Sequence, residues 1–444
     1  MTITSMLKDK NILLFGLGRQ GGGQGDLAYL RAHGYRVRVT DEKTAAELGL
    51  APDALEGIPH TLGGHDLADI DWADLVIQNP GVRDDHPLLL RAKAAGKLVA
   101  PSIALFVKYA PVTIIGITGT RGKSTTTALI YALLSQAYPG MVIQGGNIPG
   151  TSGLGLFDQL EGIRYAVLEL SSFQLHSFHA LRLSPPISVV TNLYEDHLNR
   201  YRTMSEYQRD KEAICLYQGN EGICLYNAGN SGAVAIARQG HGQKVAYQSS
   251  EVAAWSTPLP GLHNRENLAA MAKLASILQI PQTVAKSTAS TFTGLAYRQQ
   301  VLGTYQGVTY IDDTTATTPV AAQKALAAQQ TPFIWVTGGA SKNLDYTELV
   351  KSAADHPALS GVVILGSRAI PDYVAALRTA LGEKILGQVD SMAAAVTLAR
   401  AHAAEGTTVL LSPGFASFDL FQNEFDRGRQ FDDLVTSNLQ GQSL

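Results

Sequence analysis

The sequence predicts an α/β protein of three domains, each built on a mainly parallel sheet covered by helices. Three observations carry that prediction. Apolar runs of strand length alternate with helical stretches along all 444 residues, the pattern of parallel sheets packed between helices. Several runs end in glycine or small polar residues, where such folds place their ligand-binding loops. Two breaks divide the chain: Pro111 precedes a new strand in SIALFVKYAPVT, and a helical region gives way to strands in TGLAYRQQVLGTYQG. The expected domains are residues 1–108, 109–296 and 297–444.

In order, the strand-like runs are NILLFGLG, YRVRVTD and DLVIQNPG, then TIIGITG, YAVLEL and ISVVTN, then GVTY, FIWVTGG, VVILG and TVLLSPG. The composition, 45% hydrophobic and 16% charged, suits a globular protein with substantial cores. A net charge of −3 argues against a broad nucleic-acid-binding face. Cys215 and Cys224 are the only cysteines, so neither a disulfide framework nor a cysteine zinc site is expected. MTITSMLKDK lacks the apolar core of a signal peptide, and no run reaches the ~18 apolar residues of a spanning helix. A cytoplasmic chain without membrane insertion is the expectation.

The first strand leads into Gly16-Leu17-Gly18-Arg19-Gln20-Gly21, and Asp41 closes the next strand. The glycines let the backbone approach a phosphate, and the helix that follows favours negative charge at its amino terminus. Asp41 can accept hydrogen bonds from a ribose or a base. The motif points to a nucleotide and leaves its identity open.

Residues 116–127, GITGTRGKSTTT, give a second and stronger signal. A strict Walker A loop needs glycine where Ile117 stands, but Gly119-Thr120-Arg121-Gly122-Lys123-Ser124-Thr125 retains the physics. Successive N–H groups form an anion nest, Lys123 reaches the β- and γ-phosphates, and the Ser124 hydroxyl can ligate Mg²⁺. With two phosphate-type sites, one nucleotide can supply energy while the other is a handle on the substrate.

Glu169 ends YAVLEL, a position suited to holding Mg²⁺ near a phosphate loop. Glu195, Asp196 and His197 end another strand, with His197 a candidate ligand. In MSEYQRDKEAICLY, Met204, Tyr207, Lys211 and Ile214 form one helical stripe, so Lys211 points inward while Asp210 falls off it. Burial lowers a lysine pKa, and a neutral amine near a divalent cation can react with carbon dioxide to give a carbamate. Spacing alone favours the plainer outcome, a lysine that reaches solvent or pairs with an acid. GGN at 145–147, and Asn264 and Asn267 in HNREN, add polar groups, the latter two on one helical face.

Assembled in order, GLGRQG, NPGV, GTRGKSTTT, GGNI, LELSSFQL, EDHLNRY, Lys211, GLHNREN, GLAYR, DDTTATTP, GGASKNLDY and LSPGFASFD resemble the Mur ligase family nearly end to end. The resemblance implies a Rossmann-like domain for a UDP-sugar, a central P-loop ATPase domain and a Rossmann-like carboxyl-terminal domain for the incoming amino acid. It implies an ATP-dependent, cytoplasmic, monomeric enzyme that joins D-glutamate to UDP-N-acetylmuramoyl-L-alanine through an acyl phosphate, with domain closure aligning the reactants. A sister ligase for L-glutamate or another amino acid, or a folylpolyglutamate-synthase-like ligase, are the alternatives. Carried over by position, Gly18, Arg19, Gln20, Asp41 and Gly81 line the UDP pocket and Asn147 meets the muramoyl end. Residues 119–125 hold the phosphates, Asn264 and Asn267 face the adenine, and Arg298 and Asp313 the ribose or phosphates. Two Mg²⁺ ions are implied, with Ser124 and Glu169 at one and His197 at the second. Lys211 matches the family's carbamylated lysine, against the spacing argument, and Lys123, Glu169, His197 and Lys211 are the catalytic set. Thr315, Thr317, Lys342, Ser417 and Phe418 match the acceptor region.

The chain departs from the family pattern at Arg121, where many relatives carry asparagine, and at Asn199, which replaces a common aspartate. Thr315 stands where the acceptor loop commonly has lysine. Losing a charged hydrogen-bond partner typically costs ~1.5–3 kcal/mol, so acceptor binding is expected to be weakened or retuned at this position.

Overall fold

The computed structural model describes residues 2–18, 21–51, 53–148, 150–196, 201–259, 261–341, 344–366, 370–418 and 420–440. The chain divides into two compact units, Met1–Phe292 and Thr293–Leu444. It contains three α/β domains, each with its own parallel sheet, the first two sheets lying in the first unit.

The first sheet comprises β1 (Asn11–Phe15), β2 (Arg36–Asp41), β3 (His60–Leu62), β4 (Leu75–Gln78) and β5 (Leu98–Ala100), all parallel, in the order β3-β2-β1-β4-β5. The period of two divides its apolar residues between two cores. Ile12, Leu14, Val39 and Ile77 pack on one face with Leu27 and Leu30, while Leu13, Phe15 and Val76 pack on the other with Ile70 and Leu89. The order reverses between β1 and β4, which opens a crevice at their carboxyl ends.

The second sheet comprises β6 (Thr113–Thr118), β7 (Val142–Gly146), β8 (Tyr165–Glu169), β9 (Ile187–Val190), β10 (Ile223–Asn227) and β11 (Gln243–Tyr247), again all parallel, in the order β11-β10-β9-β6-β8-β7. Ile115, Ile117, Val167 and Val189 face helices Lys123–Ala137 and Leu262–Ile277, whereas Ile114, Ala166, Leu168 and Val190 face the opposite layer. Because β6 lies between β8 and β9, the loops leaving those three strands open side by side.

The second unit holds β12 (Gln300–Tyr305), β13 (Val308–Asp312), β14 (Phe333–Gly338), β15 (Leu359–Leu365), β16 (Ile385–Val389) and β17 (Thr408–Gly414), in the order β12-β13-β17-β14-β15-β16. Only β12 runs antiparallel, as a hairpin with β13. Phe333, Trp335, Ile364 and Leu410 fill one core, and Ile334, Val336, Val363 and Val409 the other.

Candidate active site

The phosphate loop occupies the gap between β6 and helix Lys123–Ala137. Gly122 sits at φ +76°, and a side chain there would come 2.6 Å from Asn267 Oδ1. The segment leaving neighbouring strand β9 braces the loop. The Thr120 N–H donates to the Asn192 carbonyl at 3.0 Å and the Arg121 N–H to Asn192 Oδ1 at 2.9 Å. Asn192 Nδ2 and Thr191 Oγ1 donate back to the Arg121 carbonyl at 3.1 and 2.7 Å. Lys123 Nζ lies across the loop, 3.1 Å from both the Gly119 and Thr120 carbonyls. Ser124 and Thr125 stand half-buried on the first helical turn. Thr126 Oγ1 donates to Asn267 Oδ1 at 3.1 Å and Asn267 Nδ2 to Asn264 Oδ1 at 3.4 Å, which brings both asparagines to the start of the helix. Exposed helix amides beside an ammonium group are suited to a polyphosphate.

On the other side of β6, Glu169 is buried at the end of β8. Its Oε1 accepts from Asn147 Nδ2 at 3.0 Å, while Oε2 is buried without a partner among the described residues. An unmatched carboxylate oxygen in a buried setting carries a full desolvation penalty, which a bound cation would remove. Lys211, on helix Met204–Glu212, is 1% exposed and donates to the Gly119 carbonyl at 2.9 Å. Burial first, then the charge of Lys123, holds its amine well below the usual lysine range, with Asp196, Asp210 and Glu169 pulling the other way. Tyr207 and Ile214 are buried with it. Asp210, expected off this stripe, is buried as well, because His176 Nδ1 partners it at 2.9 Å. His197 lies outside the described residues. Among the described residues, no three His, Cys, Asp or Glu side chains gather as a metal site.

In the first domain the turn after β1 meets the turn after β4. Gly18 has φ +67°, and a side chain there would fall 2.8 Å from Asn79 Nδ2. Asn79 donates to the Leu17 carbonyl at 3.3 Å and accepts from the Gly81 N–H at 2.9 Å. Asp41 is turned inward: Oδ2 accepts from the Leu17 and Gly18 N–H groups at 2.8 and 3.3 Å, and Oδ1 from the Lys43 N–H at 2.9 Å. Its carboxylate therefore holds the turn in shape. Arg19 and Gln20 lie outside the described residues. A cavity of about 70 Å³ lies between Gly16, Asn79, Gly146 and Gln174, and Asn147 follows it, its N–H on the Glu169 carbonyl at 2.8 Å.

In the second unit the loops after β13, β17 and β14 are neighbours, and Ala340 and Ala416 pair through their backbones. Asp313 Oδ1 accepts from the Gln299 N–H at 3.1 Å and Oδ2 from Ser412 Oγ at 2.8 Å. Burial pushes its carboxyl up to about 6, opposed by those bonds and by Arg298. Thr315 Oγ1 donates to the Tyr297 carbonyl at 2.8 Å, so the hydroxyl standing in the lysine position braces the loop. The Thr317 N–H bonds to the Thr315 carbonyl at 2.9 Å. Ser417 Oγ is buried without a partner among the described residues, whereas Phe418 is 61% exposed. Lys342 lies outside the described residues.

Three groups at these sites were not anticipated: Asn79, Asn192 and Arg427. Arg427, on helix Glu424–Gln440, is buried and clamps two of the second unit's loops. Its Nε and Nη2 donate to Thr314 Oγ1 and O, both at 2.9 Å, and Nη1 to the Phe415 carbonyl at 3.2 Å. NPGV contained Asn79, but nothing local to TNLY or EFDRGRQF distinguishes Asn192 or Arg427 from surface polar residues.

Comparison with known proteins adds three matching family models in chain order. A Mur ligase MurD-like N-terminal domain matches residues 10–100, a Mur ligase middle domain 117–255, and a Mur ligase glutamate ligase domain 297–415. A UDP-N-acetylmuramoylalanine–D-glutamate ligase of Roseiflexus sp. is 34% identical over 466 residues, covering 97% of this chain and 99% of the relative. One from Borreliella burgdorferi is 32% identical over 457 residues, covering 97% and 98%. The crystal structure of a UDP-N-acetylmuramate-alanine ligase from Thermotoga maritima shares the fold, with a TM-score of 0.57 at 18% identity, covering 96% of this chain and 99% of that one.

Proposed function

Starting from a chain that belongs to the Mur ligase family, and is MurD-like, we propose that it joins D-glutamate to UDP-N-acetylmuramoyl-L-alanine, with ATP hydrolysed to ADP and phosphate, in peptidoglycan precursor synthesis. The observation that carries this reading is the likeness to D-glutamate ligases over the whole chain. The site geometry supports it. Residues 1–108 take the UDP-sugar, 109–296 the ATP and 297–444 the amino acid, in a cytoplasmic monomer. Among the described residues no helix is long and apolar enough to cross a membrane.

A carboxylate is a poor electrophile, so the terminal carboxylate of the UDP-sugar peptide is first phosphorylated by ATP. Lys123, lying across the loop at Gly119 and Thr120, neutralises charge on the transferring group, while loop amides and the helix amino terminus orient the phosphates. Asn264 and Asn267, beside Gly122, face the adenine. The orphaned Glu169 Oε2 and the Ser124 hydroxyl fit Mg²⁺, and His197 is the family's ligand at a second ion. Bound there, Mg²⁺ supplies further neutralisation of phosphate charge. Lys211, whose burial shifts its amine toward the neutral form, supplies the nitrogen that adds to carbon dioxide to form a carbamate, with release of one proton. The amino group of D-glutamate then attacks the acyl phosphate, and phosphate leaves. Gly18, Arg19, Gln20, Asp41 and Gly81 serve the UDP end, with Asp41 acting through the turn it braces. Ser417, Thr317, Lys342 and Phe418 serve the acceptor, and Thr315 acts through the loop.

The test is phosphate release by purified protein given UDP-N-acetylmuramoyl-L-alanine, ATP, Mg²⁺ and a panel of amino acids. Release with D-glutamate alone is expected. Release only with L-glutamate or D-aspartate overturns the acceptor assignment.

A further inference from the structure

Helix Gly22–Ala32, which follows the first glycine turn, carries a carboxylate that the chemistry above leaves unused. Asp26 is buried, and its Oδ1 accepts from Ser152 Oγ at 2.6 Å and from the Leu154 N–H at 2.9 Å. Ser102, which begins helix Ser102–Tyr109, bonds to the same carboxyl. The helix carrying it has no side chains at Gly22 and Gly25, where it meets residues 151 and 152. A Cβ on Gly25 would come 2.6 Å from Ser152 Cβ, and one on Gly22 3.2 Å from the Thr151 carbonyl. The run GGGQG at 21–25 thus lets a helix of the first domain lie directly on the 150–154 loop of the second.

That loop leads to Glu169. Thr151 Oγ1 shares its hydrogen between the Gly146 and Ile148 carbonyls, at 2.9 and 2.7 Å. Between them stands Asn147, bonded to Glu169 through both its N–H and its side-chain amide. A continuous path of hydrogen bonds and short peptide segments therefore joins Asp26 to the carboxylate beside the phosphate loop. Asp26 also borders the cavity at Gly16 and Asn79, but a carboxylate turned toward Ser152 and Leu154 is unsuited to holding a diphosphate.

We infer that Asp26 is a positioning residue: by pinning the 150–154 loop to the glycine face of helix Gly22–Ala32, it fixes Asn147, and through it Glu169, relative to the sugar-nucleotide turn. The inference rests on the reading that Glu169 serves the ligase reaction. The pin also makes the first turn and the Glu169 carboxylate parts of one frame, so a substrate reaching from one to the other meets a preset spacing.

The test uses the full chain with Asp26→Ala and Asp26→Asn, the second of which keeps an oxygen able to accept both bonds. Hydrogen exchange without substrates reads the pin directly. Asp26→Ala is expected to speed exchange of the Leu154 and Asn147 amides about ten-fold or more, the scale of losing a buried hydrogen-bond acceptor, with Asp26→Asn restoring most of the protection. In the ligase assay, KM for the UDP-sugar is expected to rise about ten-fold with KM for the amino acid unchanged. Faster exchange confined to Leu154, or a smaller active fraction with both KM values unchanged, overturns the inference. If Asp26→Ala does not fold, Ser152→Ala interrogates the same link: faster exchange at Asn147 supports it and unchanged exchange there overturns it. Wild-type protein with no ligase activity would instead overturn the functional reading, leaving the exchange result to stand or fall separately.

Discussion

Lys123 and Lys211 reach the same atom: both Nζ groups donate to the carbonyl oxygen of Gly119, at 3.1 and 2.9 Å. Two ammonium ions on one acceptor in a buried setting repel strongly. Burial and the charge of Lys123 both push the Lys211 amine toward its neutral form. Replacing Lys211 with alanine is expected to lower kcat by about 100-fold or more, the scale of losing a preorganised charge at a transferring group. Partial recovery with a short carboxylic acid, together with a carbamate carbon signal in protein equilibrated with ¹³C-bicarbonate, tests its role. An alanine variant with full activity would refute it.

Asn192 holds Arg121 from both sides, accepting from its N–H and donating to its carbonyl. Asn192→Ala removes both bonds while leaving Lys123 and Ser124 in place. The expected outcome is an increase of about ten-fold in KM for ATP, two ordinary hydrogen bonds' worth, with KM for the UDP-sugar unaffected. Initial-rate kinetics over an ATP series decide it.

Arg427 ties Thr314 to Phe415 from inside the second unit. Arg427→Lys keeps the charge and loses the planar fork, which lysine cannot reproduce. A higher KM for the amino acid is expected, together with a loss of about 2–3 kcal/mol of stability, since buried backbone acceptors are left unmatched. Chemical denaturation and acceptor kinetics measure the two effects, and ATP binding should be unchanged.

Asp312 and Asp432 form a carboxyl pair behind the acceptor loop. Burial pushes Asp312 up to about 8, with the facing Asp432 and neighbouring Asp313 adding to the rise and the Thr314 N–H opposing it. Asp432 is also raised, chiefly by burial, with Asp433 nearby. A carboxyl whose folded value lies above its unfolded one favours the protonated, folded form. The stability it confers is complete below the unfolded value near 3.8 and is lost as pH rises through about 8. The melting temperature should therefore fall as pH rises from about 4 to about 8 and level off above, and Asp312→Asn should flatten that dependence. An unchanged slope in the variant would show that the pair does not share a proton.

The nucleotide-type motifs were legible because each is contiguous: Gly16–Gly21 and Gly119–Thr125 carry strand end, turn and helix start in one stretch, so local sterics and backbone amides determine the turn. The central strands were legible for a related reason, since β1, β6, β14 and β17 are apolar on both faces. Edge strands such as β3, β7, β11 and β16 were missed, being short or partly exposed and so weakly patterned. What only the tertiary structure decided is how the motifs are held. Asp41 is a brace for the turn, Thr315 bonds to Tyr297 at the lysine position, and Asp210 is buried on His176. Asn192, Arg427 and Asp26 act on loops far away in sequence. Sequence spacing determines what a stretch can do by itself; which distant polar group satisfies its buried N–H and C=O groups depends on sheet order and helix packing, and no local pattern encodes that.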